Sequence, residues 1–183
     1  NQNTQSTIMS LNINDYKIDG FQKVCDVKLQ NNAAHWKYEN INTSVMFADH
    51  RSWVYFIVEN DEIIKVGESG NPLGIRKKND YPWVCDDYKH EPQPLTGSKC
   101  RFGRYINGDG TDASIRYELR ESIQKNNISL WALKCDYVEV PFTMCGSPAG
   151  TLISTVHKDL EKRYLDFIED TVGAKPRLNK GRA

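Results

Sequence analysis

The chain has 183 residues, 39% hydrophobic and 26% charged, which fits one globular domain with its own core and neither a low-complexity nor a fibrous protein. Lys plus Arg (24) balance Asp plus Glu (24), so the strongly basic make-up of a general nucleic-acid binder is absent and any basic function must lie in how charge is distributed. No apolar run reaches the length of a membrane-spanning helix.

In chain order, residues 1–15 are polar and rich in Asn and Gln, the composition of a loosely held arm. Phe21 to Leu29 alternate apolar and polar residues and predict a strand. Residues 1–50 are too few to bury a core alone, so they are expected as an N-terminal extension packed on a main domain of residues 51–183. Five cysteines (25, 85, 100, 135, 145) include no Cys-x-x-Cys pair and read as reduced thiols of a cytoplasmic protein. Cys85, His90 and Cys100 match no established zinc spacing.

Two short runs, Trp53–Val58 and Ile63–Val66, are rich in β-branched and aromatic residues and are separated by Glu59-Asn60-Asp61-Glu62. They predict a tight β-hairpin. Strict alternation sets Trp53, Tyr55 and Ile57 on one face, and Ile63, Lys65 and Gly67 against Ile64 and Val66, so that Tyr55 and Lys65 can share a face. A turn over 67–72 follows, then Leu73 and Arg76 at helical spacing, with Lys77 and Lys78 beyond. Pro82, just past Tyr81, ends any helix there.

Residues of about 80–111 read as a long insertion. Within it Lys99, Arg101 and Arg104 interleave with Phe102, Gly97 and Gly103, either as a solvated loop or as a clamp on a DNA backbone. A helix is predicted over 113–125, capped by Asp112 and buried through Ile115, Leu119 and Ile123. Its Arg116 and Arg120 either pair with Glu118, Glu121 and neighbours or contact DNA. Residues 128–142 alternate well enough for one or two strands, supplying the third strand of an antiparallel sheet.

Ser147-Pro148 resembles a helix start, and a helix is predicted from there to about Asp170, with Ile153, Val156, Leu160, Tyr164, Phe167 and Ile168 on its apolar side. Glu161 falls at the edge of that stripe. His157, one turn earlier, is either a supporting partner of the glutamate or a satisfied edge histidine. The tail Pro176-Arg177-Leu178-Asn179 sits in a short basic segment.

The order of these pieces resembles the GIY-YIG nuclease family over residues 51–183. The first motif falls on Trp53-Val54-Tyr55, keeping the tyrosine but not the glycine, and the second on Lys65-Val66-Gly67. Lysine in place of the second tyrosine is similar to a subset of type II restriction endonucleases. Leu73-Gly74-Ile75-Arg76 matches the family's Leu-x-x-Arg helix, Glu161 its late glutamate and Pro176–Asn179 its closing Pro-x-x-Asn, at a longer spacing than usual.

The resemblance implies an α+β fold, a small three-stranded antiparallel sheet flanked by helices. It implies a metal-dependent, site-specific endonuclease hydrolysing double-stranded DNA, of the type II restriction kind. Glu161 would hold Mg2+ (Mn2+ as a substitute), Arg76 a non-bridging phosphate oxygen, and Tyr55 would act as general base. A phenol is a poor base at neutral pH, and a neighbouring Lys65 ammonium favours the phenolate. Tyr81, His157 and Asn179 would support the site. Lys77, Lys78, Lys99, Arg101, Arg104, Arg116 and Arg120 would bind DNA. A homodimer on DNA and a cognate methyltransferase are the implied partners. The alternatives are a non-catalytic DNA- or protein-binding module of the same fold, and a homing or mobile-element nuclease, which usually carries a separate DNA-binding domain.

Overall fold

A computed structural model describes residues 11–30, 35–74, 83–84, 93–94, 102–103 and 115–179. The architecture is α+β: an antiparallel sheet with helices against its faces. The strands are β1 (Gln22–Gln30), β2 (His35–Glu39), β3 (Trp53–Glu59), β4 (Glu62–Ser69), β5 (Gln93–Pro94), β6 (Ile128–Lys134), β7 (Tyr137–Met144) and β8 (Ser147–Thr155). The helices are α1 (Thr43–Met46), α2 (Arg116–Lys125) and α3 (His157–Val172), with a 3-10 helix over Ile13–Asp19.

The main sheet has six strands in the order β4-β3-β6-β1-β2-β5, where the sequence predicts three. The three predicted strands are present as neighbours, β4-β3-β6. The sheet does not stop there because β1 pairs with the far edge of β6, and β2 with β1. The described end of the predicted N-terminal arm is held to the sheet, and residues 1–10 lie outside the described residues. Ile13 and Tyr16 are buried, and Ile13 N–H donates to the Asp61 carbonyl at 2.8 Å.

The β3–β4 hairpin closes as its sequence demands. Asn60 (φ 47°) and Asp61 (φ 69°) both lie in the left-handed region, the two-residue geometry whose twist matches that of the flanking strands. One detail departs from strict alternation. Ile57 pairs with Lys65 but Val58 pairs with Ile63, leaving Ile64 as a β-bulge. Ile63 therefore turns to the face of Val54, Phe56, Val58 and Val66, while Ile64 joins Tyr55 and Ile57.

Each sheet face has its own core. Trp53, Tyr55, Ile57, Ile64 and Leu130 pack under Leu119 and Ile123 of α2, with Trp83 and Phe102. On the other face Val54, Phe56, Val58, Ile63 and Val66 meet Ile13, Tyr16, Phe21 and Ile168 of α3. Phe21 stacks on Phe56 at 4.0 Å between centroids. The predicted stripe Ile115, Leu119 and Ile123 is buried as expected. Among the acidic residues of α2, Glu121 pairs with Lys125 at 2.5 Å and Glu118 with Arg177 at 3.7 Å.

The helix predicted from Ser147 begins ten residues later, at His157. Residues Ser147–Thr155 instead form β8, paired with β7 through a turn at Cys145 (φ 50°) and Gly146 (φ 79°). Two consecutive left-handed residues make a hairpin turn, and the β-branched run Thr151, Ile153, Thr155, Val156 suits a strand better than a helix.

Candidate active site

Tyr55 and Gly67 face each other across β3 and β4. The phenol ring lies so close over Gly67 that a Cβ there would collide with its Cζ and hydroxyl oxygen. Trp83 stacks on Tyr55 with 29° between the ring planes. Trp83 is itself anchored: its carbonyl accepts from Phe102 N–H at 2.9 Å, and Val84 N–H donates to Leu73 O at 2.8 Å. Tyr55 is thus almost fully buried, 1% exposed.

Lys65 stands directly opposite Ile57, so it shares the Tyr55 face and is its diagonal neighbour. It is half-buried. The backbone between Lys65 and Gly67 is gripped by Asn179. Val66 N–H donates to Asn179 Oδ1 at 2.7 Å, and Asn179 Nδ2 donates to Val66 O at 2.8 Å. Leu178 N–H donates to Ile64 O at 2.8 Å. The C-terminal segment therefore satisfies part of the outer edge of β4, which among the described residues has no strand beyond it. Arg177 ties the same segment to Glu59 at 3.2 Å and to Ser122 at 3.0 Å.

Glu161 is half-buried on α3, next to Leu160. Leu160, Tyr164, Leu165 and Ile168 pack on the face of Val54, Phe56 and Val66, so α3 and Tyr55 lie on opposite faces of the hairpin. The two sides meet at the end of β4, in an open cleft of about 440 Å³. Trp83 lines it from the Tyr55 side, His157 and Lys158 from the start of α3, and Arg51, Glu68 and Ser69 from the strand ends. Trp83 Nε1 is buried there without a hydrogen-bond partner among the described residues.

His157, one helical turn before Glu161, fastens α3 to both strands. Its Nε2 lies 3.1 Å from Glu68 Oε2 and its Nδ1 3.2 Å from Ser52 Oγ. Burial pulls the imidazole pKa below its usual value. The Glu68 carboxylate opposes that shift and the Lys158 ammonium adds to it. The neutral ring then donates Nε2–H to Glu68 and accepts the Ser52 hydroxyl at Nδ1.

Of the residues the sequence singled out, the structure brings together Tyr55, Lys65 and Asn179 on β3, β4 and the C-terminal segment, and sets His157 and Glu161 on one helix, of which His157 lines the cleft and Tyr55, Lys65 and Glu161 do not. Arg76, Lys77, Lys78, Tyr81, Lys99, Arg101 and Arg104 lie outside the described residues, as do most of residues 80–111. Arg116 and Arg120 fall on α2, and Arg120 does not line the cleft. Sequence reasoning missed Ser52, Arg51, Glu68 and Lys158. The signal is the histidine itself, whose partner Ser52 is 105 residues away and visible only once α3 is known to start there.

Among the described residues no group of three or more His, Cys, Asp or Glu side chains converges. A metal held at Glu161 with few protein ligands would be an ion that retains most of its water, as Mg2+ does.

The fold is similar to that of a bacteriophage T4 EndoII mutant, with a TM-score of 0.55 and 13% identity over 92% of this chain and 99% of that one. Restriction endonuclease HPY188I, solved in complex with product DNA, aligns at a TM-score of 0.45 and 16% identity over 95% of this chain and 88% of that one. No protein-family model matches the sequence, and no curated protein matches it.

Proposed function

We propose that this protein is a GIY-YIG-type, Mg2+-dependent endonuclease that cuts double-stranded DNA at a specific site, in the manner of a type II restriction enzyme. The observation that carries the reading is the cleft at the end of β4, lined on one side by Trp83, which stacks on Tyr55, and on the other by His157 and Lys158 at the start of the Glu161 helix. The fold shared with EndoII is in keeping with it.

In this reading the scissile phosphate enters the cleft between Arg51 and Lys158, whose charges attract it. Tyr55 takes the proton of the attacking water and Lys65 holds the phenolate form. Asn179 fixes the β4 backbone on which Lys65 and Gly67 sit. Arg76 would bind a non-bridging phosphate oxygen. Glu161 would hold Mg2+, which would supply charge neutralisation at the phosphate and the leaving oxygen. His157 positions α3, and with it Glu161, against Ser52 and Glu68. One such site cuts one strand, so a symmetric target calls for two protomers. A methyltransferase protecting the same site, and a cytoplasmic location beside the DNA, complete the proposal.

The near-complete burial of Tyr55 favours a second reading, a DNA- or protein-binding module that keeps the fold without turnover. One experiment separates the two: cleavage of plasmid and phage DNA with Mg2+, beside Glu161→Gln and an EDTA control. A discrete fragment ladder lost in both controls supports the nuclease. DNA binding by folded protein, with no cleavage in Mg2+ or Mn2+, leaves the module.

A further inference from the structure

The β7–β8 ribbon stands outside the main sheet, and among the described residues its two strands pair only with each other. Its register sorts the side chains into two unlike faces. Val140 opposes Leu152, Val138 opposes Ser154 and Phe142 opposes Gly150, so Val138, Val140, Phe142, Met144 and Leu152 line one face. Tyr137, Glu139, Pro141, Thr151 and Ile153 are on the other, the side from which Ile153 and Thr155 line the cleft at the end of β4. The apolar face is exposed: Val138 to 61%, Val140 to 45%, Met144 to 64% and Leu152 to 56%. A two-stranded ribbon is marginal alone in water, and its open edges and apolar face invite a partner.

We infer that this face is where a second copy of the chain docks, apolar face to apolar face about a two-fold axis. Two features of the ribbon select that occupant. Between Tyr137 and Thr155 the only charged side chain is Glu139, in a chain that is 26% charged overall. With no Lys or Arg, the ribbon has nothing to offer a nucleic-acid phosphate and no charge pattern for a charged partner, whereas an isologous contact needs neither. The area also fits. The five side chains present roughly 450 Å² of apolar surface, and two ribbons pressed together with their flanking polar atoms would remove on the order of 1,000 Å², the floor for a specific interface. The inference supplies a surface for the two protomers of the proposed nuclease but rests on the ribbon alone.

The test is sedimentation velocity on the full chain, without DNA or metal, so its failure leaves the nuclease reading standing. Wild-type protein is expected to sediment as a dimer at micromolar concentration. Val140→Lys with Leu152→Lys sets two charges directly opposite each other on the face and should weaken association about 100-fold or more. Met144→Glu, near the exposed tip, should weaken it as well. Thr151→Lys on the other face should remain a dimer. Wild-type protein that is monomeric to about 100 µM overturns the inference, and so does a Lys pair or a Met144→Glu protein that is folded and dimeric. A monomer whose amides over 138–144 exchange slowly also overturns it, since the ribbon is then covered by its own chain.

Discussion

Replacing Gly67 by alanine tests the geometry on which the candidate site stands. The backbone at Gly67 is not in the left-handed region, so alanine adopts it freely. In an open strand position the substitution would be neutral or stabilising by about 0.5–1 kcal/mol, because glycine loses more freedom on folding. Here the new methyl meets the Tyr55 ring, and that ring cannot retreat because Trp83 stacks on its other side. Overpacking of a closed core site costs about 1–3 kcal/mol, which outweighs the entropy gain. Tyr55→Ala alone removes a buried aromatic and should cost about 3–5 kcal/mol. If the ring is what alanine strikes, adding Gly67→Ala to Tyr55→Ala should cost nothing more. The coupling from urea denaturation would then be about 1–3 kcal/mol, above the range expected of distant sites. A Gly67→Ala protein as stable as wild type, or one whose loss persists without the Tyr55 ring, would refute the packing of Tyr55 over Gly67.

Asn179→Ala removes two hydrogen bonds from the partly buried Val66 backbone and should destabilise the fold by about 1–3 kcal/mol, with faster hydrogen exchange at the Val66 amide. His157 has its pKa lowered in the folded state, so the unfolded chain binds protons more readily. The stability this group contributes is full above its unfolded value of 6.5 and is lost as pH falls below it. Denaturation midpoints should therefore drop from pH 7.5 to pH 5 more steeply in wild type than in His157→Gln. Equal slopes would show that the ring is not held neutral. Lys158→Gln should weaken DNA binding uniformly across sequences and reduce the salt dependence by about one counterion, with the fold intact by circular dichroism. Unchanged DNA affinity would remove the cleft start of α3 from the DNA path.

Much of the hairpin half of the site was legible because its determinants are local. The turn residues Asn60 and Asp61 are of the type that accept the left-handed region, and the β-branched runs beside them have no competing reading as helix. The pairing of Tyr55 with Gly67 follows from that register. The bulge at Ile64 was not legible, since Ile63 and Ile64 are interchangeable in an apolar pattern and only packing against two different cores separates them. The sheet was underestimated for a related reason. Strand β1 was visible in its alternation, but nothing in a sequence says which open edge it will join, and β6 lies more than a hundred residues away.

The misplaced start of α3 had the larger consequence. Ser147-Pro148 carries the chemistry of a helix cap, and Ile153 and Val156 then fall on a helical stripe with Leu160. Cys145-Gly146, immediately before it, carries the chemistry of a hairpin turn, and the turn prevails because β8 has a strand to pair with. With the helix begun at 147, His157 would sit in its middle turns as an edge residue. With the helix begun at 157, the histidine is the first residue, set where it can reach back to Ser52 and Glu68. The same shift opens the cleft, because Lys158 then lines the end of β4 beside Arg51. It also frees Ser147–Thr155 to build the ribbon. A single choice between a cap and a turn, fixed by pairing at long range, decides both the shape of the candidate site and the surface offered to a second copy.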